Sequence, residues 1–255
     1  MFSEKCKFNR NCKKKDSESC NQYCYPFVVL HGQNGESGFW KTSRIPNKYK
    51  DCLLGNLPIK ESNAKIYEII NKYISNIVYY VEEKGVGLFM FSIPNAENKM
   101  GTGTGKTTTA VTVLNEYMLE AVRNHLKGNK EIKHNPAIFI KASELQNKYN
   151  AQFRGNFEMQ QEASADFYKF KERMKQVNLL VIDDIAVRDT TEAFKNEIFE
   201  IIDHRATEEK ATIFTSNYPL EKVTEFLSER ITSRIEGMCY KLGFTGKDFR
   251  KGGLF

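Results

Sequence analysis

The residues best suited to chemistry lie in Gly101-Thr102-Gly103-Thr104-Gly105-Lys106-Thr107-Thr108. Alternate glycines let backbone N–H groups close around phosphate oxygens. A helix opening at Lys106 would add the positive end of its dipole. Lys106 would reach the β- and γ-phosphates, and the Thr107 hydroxyl would ligate Mg²⁺. The candidate nucleotide-binding residues are therefore Gly101, Gly103, Thr104, Gly105, Lys106, Thr107 and Thr108. The strict pattern G-x-x-x-x-G-K-[ST] wants glycine where Met100 stands, and Gly101 next to it can take the turn. Ser92–Lys99 forms an insertion of about eight residues between the preceding apolar run and the loop.

A second constellation lies about 75 residues on, where Leu179-Leu-Val-Ile-Asp183-Asp184 ends an apolar run in two carboxylates. At the carboxyl end of a strand such groups face the ligand crevice of an α/β sheet. Asp183 is assigned to Mg²⁺, and Asp184 to orienting the attacking water as general base. Asp184 is one methylene shorter than glutamate, which predicts slow hydrolysis. Asn217, closing Thr215-Ser216-Asn217, can hydrogen-bond that water or the γ-phosphate. It can equally be a strand-to-turn cap. Arg230 and Arg234, four apart on a helical pattern, can be a solvated face or project into a neighbouring subunit's nucleotide site.

Cys6, Cys12, Cys20 and Cys24 fall within nineteen residues. In a reducing compartment four clustered thiols point to zinc rather than disulfides, with His31 a possible substitute ligand. Cys52 and Cys239 stand apart and suit small buried apolar positions.

These groups need a scaffold. Short apolar runs at Gly87–Phe91, Ala137–Ile140, Leu179–Ile182, Ala211–Phe214 and Met238–Leu242 predict five strands. Helical spacing predicts helices over Ile66–Val81, Thr107–Leu126, Leu145–Lys175 and Glu192–Thr207 (capped by Asp189 or Thr190), and one or two helices over Leu220–Ile235. The alternation implies an α/β fold with a five-stranded parallel sheet sandwiched by helices. Residues 1–45 form a loop-rich, zinc-binding module, and residues 46–255 the nucleotide-binding domain. Residues 1–60 carry 11 Lys/Arg and 5 Asp/Glu, whereas residues 61–255 carry 27 of each, so the net charge of +6 is all N-terminal and suits an acidic or nucleic-acid partner. No apolar run is long enough to span a bilayer and the N-terminus has no secretory h-region, so the expected location is cytoplasmic, with no membrane partner.

Together Gly103-Thr-Gly-Lys-Thr, Val181-Ile-Asp-Asp184-Ile, Thr215-Ser-Asn217 and Glu229-Arg-Ile-Thr-Ser-Arg234 resemble, in order and spacing, the DnaC/DnaI-type replicative helicase loaders of the AAA+ ATPases. Phe244-Thr-Gly-Lys-Asp-Phe-Arg250 is similar to that family's C-terminal tail. Ile45-Pro-Asn-Lys-Tyr49 is similar to its segment near the adenine. The resemblance implies ATP as the nucleotide, Asn217 as sensor 1, Arg234 as arginine finger with Arg230 the second choice, and assembly into a ring or spiral. It also implies a zinc module gripping a hexameric helicase, and single-stranded DNA as a partner.

The aromatics and cations between the second and third strands (Tyr149, Phe153, Arg154, Phe157, Phe167, Tyr168, Phe170, Lys171, Arg173) can stack bases, or can be an amphipathic helix with a buried aromatic face. The function expected is ATP-dependent delivery of a replicative helicase to single-stranded DNA in replication initiation. The hydrolysis would be slow and regulated by DNA or a partner. Two alternatives share these motifs: an IstB-like transposition helper ATPase, and a zinc-dependent DNA-binding adaptor with a mainly structural nucleotide site. A GTPase is disfavoured because no Asn-Lys-x-Asp occurs.

Overall fold

The computed structural model describes residues 2–132, 134–186 and 190–249. Helices α1 (Phe2–Lys5), α2 (Tyr25–His31), α3 (Gly38–Thr42) and α4 (Ala64–Ser75) precede the sheet. Strand β1 (Gly87–Ser92) leads through the glycine-rich loop to α5 (Lys106–Leu126). Strand β2 (Ala137–Lys141), helices α6 (Ala142–Ala151) and α7 (Phe157–Gln176), and strand β3 (Leu179–Asp183) follow. The chain ends with α8 (Glu192–Thr207), β4 (Thr212–Ser216), α9 (Leu220–Val223), α10 (Glu229–Met238) and β5 (Cys239–Phe244).

The five strands pair in parallel in the order β2-β3-β4-β1-β5. Strands covered on both faces read as unbroken apolar runs, and alternate side chains feed two cores. Leu88, Met90, Leu179 and Val181 pack with α4 and α5 on one face. Phe89, Leu180, Ile182 and Phe214 pack with α6, α7, α8 and α10 on the other.

Three departures from the sequence reading have local causes. The stripe from Ile66 to Val81 is not one helix: α4 stops where Asn76 leaves helical backbone and turns its amide back to the Lys72 carbonyl, although Ile77 and Val81 stay buried. The segment Leu145–Lys175 breaks at Gly155, whose φ of +85° suits glycine, and Asn156 caps the new helix on Met159 N–H. Helix α8 is capped by Thr191, while Thr190 bonds the Phe226 carbonyl and Asp189 lies outside the described residues.

The N-terminal segment is more helical and more firmly docked than a loop-rich module would be. Leu30, Trp40 and Ile45 join the core of α4 and α5. The Phe139 N–H at the β2 edge donates to Ser43 O at 2.8 Å. His31 is a packing residue there rather than a spare metal ligand. It is buried, its Nε2 accepts the Lys7 N–H at 3.2 Å, and its ring stacks on Trp40 at 5.2 Å.

Burial, and then the nearby Lys7 charge, hold the His31 imidazole down to about 4, below its ordinary 6.5. The folded chain therefore binds fewer protons than the unfolded chain between those values. Stability is lost as pH falls from 6.5 towards 4, by about 3 kcal/mol in full. Trp40 is the one tryptophan, so its fluorescence reports the event. Acid titration should loosen the Trp40 environment in the wild type with an onset that His31→Gln removes. Identical titrations of the two proteins would refute the assignment.

Candidate nucleotide site

Helix α5 begins on Gly105, and Gly101, Gly103 and Gly105 have φ values of +61°, +68° and +96°. In that left-handed region a side chain is strained, so the alternation of glycines lets the loop turn tightly before the helix. The sheet order then assembles the rest. Strand β4 lies between β1, which leads into the loop, and β3, which ends in the acidic pair. The carboxyl end of β4 thus delivers Thr215 and Asn217 into the gap between Lys106 and the carboxylates.

The side chains meet there. The Thr107 hydroxyl donates to Asp183 Oδ1 at 2.7 Å, and the Thr215 hydroxyl donates to the same oxygen at 2.7 Å. Asp183 is buried, whereas Asp184 is exposed and faces the cavity. Asp184 has φ +59°, a conformation aspartate tolerates better than most residues, and its N–H donates to Thr215 Oγ1 at 2.9 Å. Lys106 is buried, with Nζ 2.5 Å from Ser92 Oγ and 3.1 Å from Asn217 Oδ1. Asn217 in turn donates from Nδ2 to Asp184 Oδ1 at 3.2 Å. Lys106, Asn217 and Asp184 therefore form one relay across the cavity, and Thr107 and Asp183 lie side by side, as two ligands of one Mg²⁺ would.

Of these groups Lys106, Thr107, Asp184, Thr215 and Asn217 line a cavity of about 240 Å³. Its phosphate end holds Gly103, Thr104, Gly105, Lys106, Thr107 and Thr108 with Asp184, Thr215 and Asn217. Gly101 lies behind it, its carbonyl accepting from Ser92 Oγ. The rest of the lining is Lys48, Tyr49, Pro58 and Phe249.

Four of these were missed in the sequence. Ser92 closes β1 rather than opening the insertion, and Thr215 orders both aspartates. Pro58 and Phe249 come from segments with no periodic signal.

Arg234 and Arg230 do not line this cavity. Arg234 Nε donates to Asp203 Oδ1 on α8 at 2.7 Å, and the Arg230 guanidinium stacks on Phe199 at 4.1 Å.

The aromatic and cationic stretch divides. Phe167 is core, and Lys171 is buried between Glu197 and Glu200 at 2.7 and 2.6 Å. Phe153, Arg154 and Phe157 stand exposed at the α6–α7 tip.

Cys6, Cys12, Cys20 and Cys24 are each half-buried and line one small cavity walled by Phe2, Phe8 and Phe27. Burial raises the Cys6 thiol, and the other three cysteines add to the shift. Among the described residues no three His, Cys, Asp or Glu side chains are placed as a metal site. No helix among them is long and apolar enough to cross a membrane.

Parallel β2-β3-β4-β1-β5 order, with a glycine-rich phosphate loop after β1 and an acidic pair ending β3, is the architecture of a P-loop α/β nucleotide-binding domain. A profile of the bacterial DnaA ATPase domain matches residues 115–240. The replicative helicase loader DnaC of Buchnera aphidicola subsp. Baizongia pistaciae is 24% identical over 211 residues, 82% of this chain and 73% of the relative. The replicative helicase loader DnaC of Escherichia coli K12 is 25% identical over 164 residues, 64% of this chain and 56% of the relative. A crystal structure of the DnaC helicase loader superposes with a TM-score of 0.55 at 22% identity, covering 78% of this chain and 99% of that one. The resemblance drawn from the motifs therefore holds: the chain is similar to the DnaC/DnaI-type replicative helicase loaders.

Proposed function

We propose that this chain is an ATP-dependent loader that delivers a replicative hexameric helicase to single-stranded DNA. One observation carries the reading: Lys106, Thr107, Asp184 and Asn217 line a single cavity, with Asp183 bonded to Thr107 just beneath it, within a fold shared with helicase loaders.

The loop amides and the α5 N-terminus would hold the triphosphate. Thr107 and Asp183 fit Mg²⁺, which when bound would offset charge on the phosphate oxygens. Lys106 supplies positive charge to the γ-phosphate, and Asp184 accepts a proton from the attacking water while Asn217 holds Asp184 in place. Asp184 reaches less far than glutamate would, so basal turnover is slow and leaves room for DNA or the helicase to accelerate it.

Arg234, which does not line its own chain's cavity, would act on a neighbour's in a ring or spiral. The exposed Phe153, Arg154 and Phe157 suit base stacking and phosphate contact. The location is cytoplasmic. ATPase assays with and without single-stranded DNA, and a pull-down with purified hexameric helicase, test the reading. Neither stimulation by DNA nor capture of helicase would leave it without support.

The four clustered thiols are also the donor set of a structural Zn²⁺, which would have to draw them together from the placement seen here, with residues 1–45 serving as the helicase grip. Elemental analysis should find one zinc per chain, lost in Cys20→Ser/Cys24→Ser together with much of the N-terminal segment's protection from protease. A metal-free wild type with the same protease resistance would remove zinc from the account.

A further inference from the structure

The insertion before the phosphate loop and the C-terminal tail are the two features that the ATPase motifs leave unused. They hold each other. Asn98, buried in the insertion, donates from Nδ2 to Thr102 O at 2.7 Å and to Gly246 O at 3.1 Å. Asn95 Nδ2 donates to Thr245 Oγ1 at 3.1 Å. From the other side Asn63 brackets Thr245, donating to its carbonyl at 2.9 Å and accepting its N–H at 3.0 Å.

So anchored, residues 245–249 cross the phosphate loop. The Thr102 hydroxyl donates to Asp248 Oδ2 at 3.3 Å, and the Phe249 N–H donates to Gly103 O at 3.1 Å. The fit is close enough that a Cβ on Gly103 would lie 1.6 Å from Asp248 Oδ1. Two constraints therefore demand glycine at this position: φ is positive and the tail lies directly against it.

The crossing places the Phe249 ring in the cavity lining beside the phosphate loop, 3.9 Å from where a Gly105 Cβ would stand, with Tyr49 and Pro58 in the same lining. Tyr49 is itself fixed to α5, its carbonyl accepting from Asn115 Nδ2 at 3.3 Å. Phe249 is 40% exposed, an apolar ring turned partly to solvent at the mouth of a polar cavity.

We infer that the tail Thr245–Phe249, clasped by the insertion, is a wall of the nucleotide site in which Phe249 packs against the base of a nucleoside triphosphate. The inference rests on the phosphate loop binding a triphosphate. It assigns the insertion a role as well: Asn95 and Asn98 hold the tail in register with the loop. Because every base has a π-face, the contact strengthens nucleotide binding without choosing among bases.

Two ligands that differ only in the base end test it. Full-length wild type and Phe249→Ala are titrated with Mg-ATP and with Mg-tripolyphosphate. Loss of one aromatic–base stack is expected to weaken ATP about tenfold and to leave tripolyphosphate unchanged. Phe249→Trp is expected to restore the ATP affinity. Unchanged ATP affinity in Phe249→Ala, or equal weakening of both ligands, overturns the inference while the triphosphate reading stands. A wild type that binds neither ligand removes the triphosphate reading and the inference with it.

Discussion

Lys106→Ala is expected to weaken Mg-ATP binding by about 100-fold or more and to abolish measurable turnover. A charge-assisted hydrogen bond contributes roughly 1.5–3 kcal/mol. Lys106 would make more than one to the phosphates, in a cavity where burial strengthens each. The ammonium is already aimed: Ser92 Oγ, Asn217 Oδ1 and the Gly101 carbonyl are neutral oxygens that help to orient it. Little of its binding energy is then spent on ordering the side chain when nucleotide arrives. The check is a thermal shift. A ligand at about 100 times its Kd raises stability by about 2.7 kcal/mol. Saturating Mg-ATP should therefore raise the wild-type melting temperature clearly and leave that of Lys106→Ala unmoved. An equal shift in both proteins would mean that phosphate binds elsewhere.

The parts of this site that were legible in the sequence are those written in one short stretch. Gly101 to Thr108 and Leu179 to Asp184 each combine an apolar element with the chemistry at its end, so element and function could be read together. The parts that stayed hidden depend on strand order. The sequence of β1 and β3 does not disclose that β4 runs between them, and only that interposition explains why Asn217 bridges Lys106 and Asp184 and why Thr215 serves Asp183. The tail was equally opaque: Asp248 and Phe249 reach the loop from about 145 residues away along the chain through asparagine side chains whose spacing has no period.

Aromatics interleaved with cations were ambiguous for a different reason. Phe167 and Lys171 lie four apart on α7, and both point inward because Glu197 and Glu200 of α8 neutralise the lysine there. The pattern is the same whether such a face meets water, DNA or another helix.

Arg205→Met is expected to be the most destabilising single change in the chain that leaves the nucleotide cavity untouched. The stripe of α8 runs Phe194, Ile198, Ile201 and then Arg205, so an apolar reading ends one turn too early: the arginine continues the buried face. It is wholly buried. Its Nη1 donates to Met174 O at 2.7 Å, Lys175 O at 3.3 Å and Val177 O at 2.7 Å. Its Nη2 donates to Asn178 O at 3.3 Å and Ala211 O at 2.6 Å, and its Nε donates to Thr212 Oγ1 at 2.9 Å.

Burial pulls the guanidinium down to about 9. The carbonyls of the α7 C-terminus, which carry the negative end of that helix's dipole, oppose the pull and keep the charge. One side chain thus closes the end of α7, the turn into β3 and the entry to β4, the two strands that carry Asp183 and Thr215. Methionine matches much of the volume and none of the donors, leaving buried carbonyls unpaired at about 1–3 kcal/mol each, partly relieved by relaxation and water. A net loss of about 3–5 kcal/mol follows, a large share of the roughly 5–15 kcal/mol that holds a domain folded. Lysine, with three donors in place of five and no planar fork, should recover only part of it. Urea unfolding of the wild type, Arg205→Lys and Arg205→Met should give midpoints in that descending order. A Met variant within about 1 kcal/mol of the wild type would show that water already satisfies those carbonyls and that the joint between α7, β3 and β4 is held by apolar packing alone.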